Sequence, residues 1–495
     1  MMYGEEKSDS LIVAANLANN PQGAESVERR SGAKGNAEQP HMRRTQSRES
    51  MSQRLSRVRE AAKQRKKERF TALFHLLTAE ALENAFLSLS RKAAAGVDGV
   101  RWKDYAENLK VNIADLHRRL HQGSYRAQPG RRHYIPKADG KQRPLGIASL
   151  EDKIVQYALV KILNAVYEND FMGFSYGFRP GRSQHNALDA LATGLVRTNV
   201  NWVLDADISQ FFDKVSHEWL IRFIEHRIGD QRVIRLIRKW LTAGTSEEGE
   251  WRASEEGTPQ GAVISPLLAN IYLHYVFDLW AHQWRRRHAT GNVVMVRYAD
   301  DIVIGFDKRI DAQCFRIAMQ RRLKEFGLTV HPEKTRLMEF GRFAAENRAS
   351  RGKGKPETFN FLGFTHISGK DRSGRFMLIR KTRRDRMTAT LKAIKDGLRK
   401  RWHYSIPEQG KWLRRVVQGY LNYHSVPGNY PMMRKFRIYV TDLWRRALRR
   451  RSQQDDTTWT KANRLAAVWL PKVRVLHPWP VERFTARHPR QEPGA

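Results

Sequence analysis

The segment "VVMVRYADDIVIGF" (residues 293–306) places two adjacent aspartates, Asp300 and Asp301, between two apolar runs of β type. The pattern predicts a hairpin with Tyr298, Ala299, Asp300 and Asp301 at or near its turn. Two carboxylates side by side between buried strands repel each other and lose solvation, so something positive has to sit beside them. A divalent metal ion is the natural candidate. A second acidic strand, "NWVLDADISQFFDKVSHEWL" (residues 201–220), sharpens this expectation. Period two puts Val203, Asp205 and Asp207 on one face and Trp202, Leu204, Ala206 and Ile208 on the other. Asp207 opposed to the Asp300–Asp301 hairpin could hold two divalent ions ~3.5–4 Å apart, the arrangement that drives in-line phosphoryl transfer. One ion lowers the pKa of an attacking 3′-hydroxyl and the other stabilises the pyrophosphate leaving group. Magnesium, hard and oxygen-seeking, suits such a site.

The rest of the chain has to position these groups and supply their partner. At 495 residues with 41% hydrophobic content, the chain is long enough for several domains. Its formal net charge of +38 calls for a polyanion, because counterions are released when cations meet phosphates. No apolar run approaches the ~20 residues of a transmembrane helix, and no signal-peptide core is present. The single cysteine, Cys314, excludes an internal disulfide and a Cys-based zinc cluster, which fits a reducing, cytoplasmic setting. No GxxxxGKS-type loop is present, which argues against a P-loop ATPase.

Residues 1–50 have too little apolar content to offset the entropy of ordering and are expected to be disordered. Scattered glutamates there count against an organellar transit peptide. "MSQRLSRVREAAKQRKKERFTALFHLL" (residues 51–77) predicts a basic helix that turns amphipathic, with Phe70, Leu73, Phe74 and Leu77 on one face, and Thr78 suits the N-cap of a second helix. Strands and helices mix from about residue 90 to 365. Beyond about 380 the pattern is helical, with Trp412/Leu413, Val416/Val417 and Tyr420/Leu421 in one stripe and Met433, Phe436, Val440, Trp444 and Leu448 in another. Residues 371–450 hold 22 Lys+Arg and 5 Asp+Glu, a net of 22 − 5 = +17, interleaved with aromatics, which favours a nucleic-acid grip over a merely solvated face.

The Tyr-Ala-Asp-Asp box resembles the catalytic box of reverse transcriptases, and "DISQFFDKVSHEWL" resembles the first palm motif of group II intron-encoded reverse transcriptases. Seven blocks follow in the family's order between about residues 90 and 365, and the resemblance as a whole covers about residues 85–485. It implies an α+β right-hand polymerase: fingers, a palm with an antiparallel sheet, and an all-helical basic thumb that doubles as the maturase domain. The expected units are a disordered extension (1–50), N-terminal helices and fingers (51–165), palm (166–370), thumb/maturase (371–452) and a basic tail (453–495). By the resemblance Asp207, Asp300 and Asp301 are the metal ligands for two Mg²⁺ ions, with Ile208 in the same set. Asp205 is assigned a structural salt bridge instead. Lys334 in "FGLTVHPEKTRL" would protonate pyrophosphate. Lys137 and Arg143 in "YIPKADGKQRPLGIASLEDKIVQ" would contact the triphosphate. Phe212 would reject a ribose 2′-hydroxyl, and Gln260 in "GTPQGAVISPLLANIYL" would lie close to the templating pair. Arg179 and Arg182 in "FSYGFRPGRSQHNAL", with Phe361 and Gly363 in "FNFLGF", would touch template or primer. Arg414, Arg415, Arg445 and Arg446 would bind RNA from the thumb.

The block "AAAGVDGVRWKDYAENL" and the thumb segments "QGYLNYHSVPGNYPMMRKFRIYVTDLWRRALRRRSQ" and "LPKVRVLHPWPVERF" favour the group II branch. The implied function is double: RNA-directed DNA polymerase, and maturase that stabilises its own folded intron RNA. Implied partners are intron RNA, an RNA template, a DNA primer or target, and dNTPs, with no membrane. A bacterial cytoplasmic or nucleoid setting is expected over an organelle. Many relatives end in an HNH endonuclease with Cys pairs; this chain has no cysteine there, so priming from a replication strand or a host nick is expected. Two other readings stand beside this one: a reverse transcriptase recruited to retron synthesis, defence or diversity generation, and an RNA-binding splicing factor without polymerase activity. RNA-dependent RNA polymerase is a third. His217 and His424 are expected to be structural or RNA-facing.

Overall fold

A computed structural model describes residues 50–136, 142–247, 249–253, 255–451 and 457–487. The expected disorder of residues 1–49 and the expected triphosphate contact Lys137 lie outside the described residues. Eleven strands are present among the described residues: β1 (Gly130–Pro136), β2 (Gln142–Ile147), β3 (Trp202–Asp207), β4 (Thr245–Glu247), β5 (Glu250–Arg252), β6 (Val293–Tyr298), β7 (Asp301–Phe306), β8 (Arg336–Glu339), β9 (Phe359–Phe361), β10 (Phe364–Lys370) and β11 (Phe376–Thr382). They form three sheets, ordered β2-β1-β4-β5 in the fingers, β6-β7-β3-β8 in the palm and β11-β10-β9 beyond it. With helices on both sides of the palm sheet and a helical region after it, the fold is the α+β right hand.

Every neighbouring pair in the palm sheet is antiparallel. Its strands are apolar on both faces because both faces are covered. Leu204, Ala206, Met295, Ile302 and Ile304 face one core, which the helices Leu150–Tyr167 and Ser265–Leu273 help to build. Val203, Val294, Val296, Val303 and Met338 face the other, against helix Gln184–Arg197. That helix starts in a capping box between Ser183 and Asn186.

The N-terminal helix is shorter than its amphipathic pattern predicts. It runs Met51–Gln64 from a Ser50 capping box, and only Phe74–Leu76 make a further 3₁₀ turn. Asp230, 157 positions on, accepts the Leu73 and Phe74 amides at 2.9 and 2.8 Å, and Phe70 bridges to Ile228. These tertiary partners take the backbone groups that a helix would have used. The next helix, Ala79–Ser88, does begin at Thr78, whose side chain accepts the Ala81 amide.

The thumb consists of helices Arg384–Arg399, Ile406–His424 and Tyr430–Arg449, joined by Trp459–Trp469. Leu413, Val417, Tyr420, Leu421, Met433, Phe436, Val440, Trp444 and Leu448 are all in its core, as the two stripes predict. The helix Leu150–Tyr167 spans position 165, and the hairpin β10–β11 spans position 370. The expected tail folds back: helix Pro480–Arg487 lies along Gln184–Arg197, and Arg483 grips the buried Asp189, with one bond at 2.8 Å. Among the described residues no helix is long and apolar enough to cross a membrane.

Candidate active site

Strand pairing builds the site. Asp207 ends β3 directly opposite Asp301, the first residue of β7, while Tyr298 closes β6 against the same Asp301. Ala299 and Asp300 are therefore the two residues of a tight hairpin turn, with Ala299 at φ 56°. Because the side-chain period is two, Asp205, Asp207 and Asp301 project from one face of the sheet.

What holds this turn was not foreseen. Arg297, the charged residue in "VVMVRY", is fully buried beneath it. Its guanidinium donates to both Asp278 oxygens (2.7 and 2.6 Å), to Ser175 Oγ (2.7 Å), to Asn270 Oδ1 (3.1 Å) and to the Ala299 carbonyl (3.0 Å). A five-residue π turn, His274–Asp278, interrupts the helix between Ser265 and Arg287, and its final residue is Asp278. Asn270 also donates to the Gly177 carbonyl at 2.7 Å. Gly177 has to lack a side chain, since a Cβ there would lie 2.3 Å from the Ala299 nitrogen. An arginine inside an apolar strand was the available signal, because a buried charge needs a partner. Its spacing from Asp278 gave no clue.

The carboxylates strain against each other. Burial, then the charges of Asp300 and Asp207, push Asp301 up to about 7, against Lys334 and Arg383. Burial and Asp207 also raise Asp300, while Arg143 and Arg297 pull it down. Burial raises Asp205 to about 7. Asp205 pairs in register with Arg336, yet the Arg336 guanidinium donates to the Thr358 carbonyl, so the expected salt bridge is only a nearby opposite charge.

Among the described residues no three His, Cys, Asp or Glu side chains gather as a metal-holding group. Mg²⁺ does not need three: it keeps waters and is held by one or two carboxylates plus substrate phosphates. An open edge of mutually repelling carboxylates, already drawing the Lys334 ammonium to Asp207 at 3.1 Å, fits such an ion. Ile208 is buried, bridged to Val330, and has only its backbone carbonyl to offer.

Several other expected residues gather here. Arg143, exposed on β2 opposite Ile135, acts electrostatically on Asp300 from the fingers. Phe212 sits in a 3₁₀ turn after Gln210, and its carbonyl accepts the Thr258 amide at 2.7 Å. Gln260 joins palm to fingers: its side-chain amide donates to Asp213 (2.9 Å) and its backbone carbonyl accepts the Gly146 amide (2.6 Å). Arg383, which sequence reasoning missed, opens the thumb and bears on both Asp205 and Asp301.

Other expected contacts turn inward. Arg179 is buried and ion-paired to Glu168 (3.0 Å), with bonds to the Met172 and Ser175 carbonyls, so it braces the loop instead of facing a template. Arg182 is half-buried, donating to the Gly173 and Ser175 carbonyls over the Tyr176 ring. Phe361 is core. Gly363 does lie in the tight β9–β10 turn, whose Leu362 carbonyl accepts from the thumb's Tyr423 hydroxyl at 2.8 Å. In the thumb, Arg414 caps the helix Trp459–Trp469 through the Val468 and Trp469 carbonyls, and Arg445 is packed over Trp459 beside Asp442. Arg415 and Arg446 are exposed, as is Arg414, and Arg446 is bridged to Asp442. His217 and His424 are structural, bonding the Gly257 carbonyl and Thr382.

A family model described as "Reverse transcriptase (RNA-dependent DNA polymerase)" matches residues 135–366, from the fingers hairpin through β10. Protein YkfC of Escherichia coli strain K12 is 43% identical over 206 residues, 41% of this chain and 54% of the relative. Group II intron-encoded protein LtrA of Lactococcus lactis subsp. cremoris is 37% identical over 223 residues, 44% of this chain and 37% of the relative. The putative COX1/OXI3 intron 1 protein of Saccharomyces cerevisiae is 26% identical over 393 residues, 66% of this chain and 46% of the relative. The chain spans about half or less of the length of the curated relatives it matches.

Proposed function

We infer that this chain, which carries a reverse-transcriptase domain similar to those of group II intron-encoded proteins, is an RNA-directed DNA polymerase that also binds intron RNA as a maturase. The observation that carries the reading is the register of Asp207 on Asp301, with Asp300 in the turn between β6 and β7. Asp207, Asp300 and Asp301 would hold two Mg²⁺ ions, which would lower the pKa of the primer 3′-hydroxyl and neutralise charge on the departing pyrophosphate. The O3′ proton passes to water as the bond from O3′ to the α-phosphorus forms and the bond from that phosphorus to the bridging oxygen breaks. Arg143, with Lys137, binds the triphosphate from the fingers. Lys334 stands at the carboxylate edge, where its ammonium can give a proton to the leaving pyrophosphate. Phe212, fixed from behind by Thr258, excludes a 2′-hydroxyl, and Gln260 sits against the new pair.

The thumb supplies the RNA grip. Arg414, Arg415 and Arg446 are exposed on it, Arg414 also capping a helix, whereas Arg445 braces it. Binding energy that differs between folded and misfolded intron RNA is enough for a maturase, with no further chemistry. Copying of the intron at a DNA target, primed from that DNA, is the mobility reaction this pairing of activities would serve.

The test is extension of a DNA primer on an RNA template with dNTPs and Mg²⁺. Asp300→Ala/Asp301→Ala should lose extension on the order of 10³-fold or more, as removal of a catalytic unit does. A well-folded wild type that binds RNA tightly yet extends nothing would instead identify an RNA-binding splicing factor with the palm as scaffold.

A further inference from the structure

Four non-glycine residues hold positive φ among the described residues: Phe178 (57°), Gln210 (47°), Ala299 (56°) and Leu362 (45°). This region crowds Cβ against the backbone, and for a bulky side chain it is strained. Strain of this kind persists only where the surroundings enforce it, and it gathers at working sites. Gln210 leads into the Phe212 turn, Ala299 makes the carboxylate turn, and Leu362 makes the tight turn that meets the thumb. Phe178 is the fourth, and it belongs to none of these three turns.

Its surroundings force it outward. Ser175 bridges to Arg297, the Tyr176 amide donates to the Arg297 carbonyl (2.8 Å), and the Gly177 carbonyl accepts from Asn270. On the other side Arg179 is drawn inward to Glu168. Between these anchors the Phe178 side chain stays 52% exposed. Its ring centroid lies 6.3 Å from that of Tyr298, tilted by 47°. A large apolar ring left half in solvent, on strained backbone, beside the residue that precedes the carboxylate turn, gains little from packing beyond its contact with Tyr298. It gains from a ligand with a flat or apolar face.

We propose that Phe178, with Tyr298, forms an aromatic shelf on which the primer strand rests next to its 3′-end. The proposal builds on the reading of the chain as a primer-extending polymerase. Tyr298 adjoins the carboxylates that would activate the 3′-hydroxyl, so the strand within its reach is the one carrying that hydroxyl. Stacking of bases and sugars on aromatic rings tolerates any sequence, as a polymerase requires.

The experiment measures binding of the full chain to a recessed RNA–DNA primer–template duplex by fluorescence anisotropy at several salt concentrations, together with thermal melting. Phe178→Asn should weaken binding about tenfold, the order of one lost stack, at every salt concentration, because no phosphate contact is removed. Its melting temperature should stay level or rise, since asparagine tolerates left-handed backbone. Phe178→Tyr should restore affinity to within about twofold, keeping the ring. Binding by Phe178→Asn equal to wild type, with wild type extending the primer normally, overturns the shelf and leaves the polymerase reading intact. Affinity that falls only in step with melting temperature also overturns it, marking Phe178 as scaffold. A wild type that neither binds nor extends the duplex removes both.

Discussion

The palm and the thumb are held together in different ways. Behind the carboxylate turn the palm buries Arg297 and Asp278 completely and bonds them at 2.6 and 2.7 Å. The thumb relies on an apolar helical seam, across which the buried bond from Trp444 to Gln409 at 2.9 Å links two helices. Most of its cations lie on the outside, while Arg437 and Arg445 are part-buried between helices. None of the positive-φ non-glycine residues falls in the described thumb helices. Apolar packing is tolerant of small shifts, whereas a bidentate ion pair has one good geometry. The region that holds carboxylates in register uses directional bonds and strain, and the basic thumb uses regular helices packed through an apolar seam.

The largest test of this contrast is Arg297→Met. It strands Asp278 without a partner and should cost about 3–5 kcal/mol in urea unfolding, with loss of extension. Adding Asp278→Leu should recover most of the stability but not the extension, because the bond to the Ala299 carbonyl is still gone. Gly177→Ala comes next. Its methyl would press on the Ala299 nitrogen, and a cost of about 1–3 kcal/mol should come with a disproportionate fall in extension rate.

A smaller effect concerns the carboxylates. Asp301 is raised from 3.8 to about 7, so the folded state binds the extra proton between those values. Its contribution to stability is therefore full below pH 3.8 and is lost as pH rises through about 7. In chelator, melting temperature should fall across that window, and Asp301→Asn should flatten the fall. A melting curve equally steep in the variant would rule out Asp301 as the source. Least of all, Arg446→Met should change stability by no more than about 1 kcal/mol, as for other surface pairs. Its RNA affinity should lose about one unit of salt slope if it meets a phosphate.

The sequence revealed those parts whose logic is local. Strand alternation put Asp205 and Asp207 on one face, Thr78 announced its helix, and the thumb stripes held the core residues, with Trp412 and Val416 packed at its edge. The failures came where residue type and position in the fold part company. Arg179 and Phe361 have the chemistry of ligand contacts but are buried by neighbours. The periodic run from Phe70 to Leu77 lost its helix to Asp230, a partner no local window contains. Arg297 was visible as a charge in an apolar strand, yet its role depends on a π turn that propensities do not predict.

The bond between Arg483 and Asp189 also has a schedule. The two residues are 294 positions apart. At roughly 5–20 residues per second, a ribosome delivers the arginine on the order of 15–60 s after the aspartate. Among the described residues the other cation paired with Asp189 is Arg380, 3.7 Å away in the finished fold, and it too is made well after the aspartate. The palm helix is thus synthesised long before the arginine that completes its ion pair.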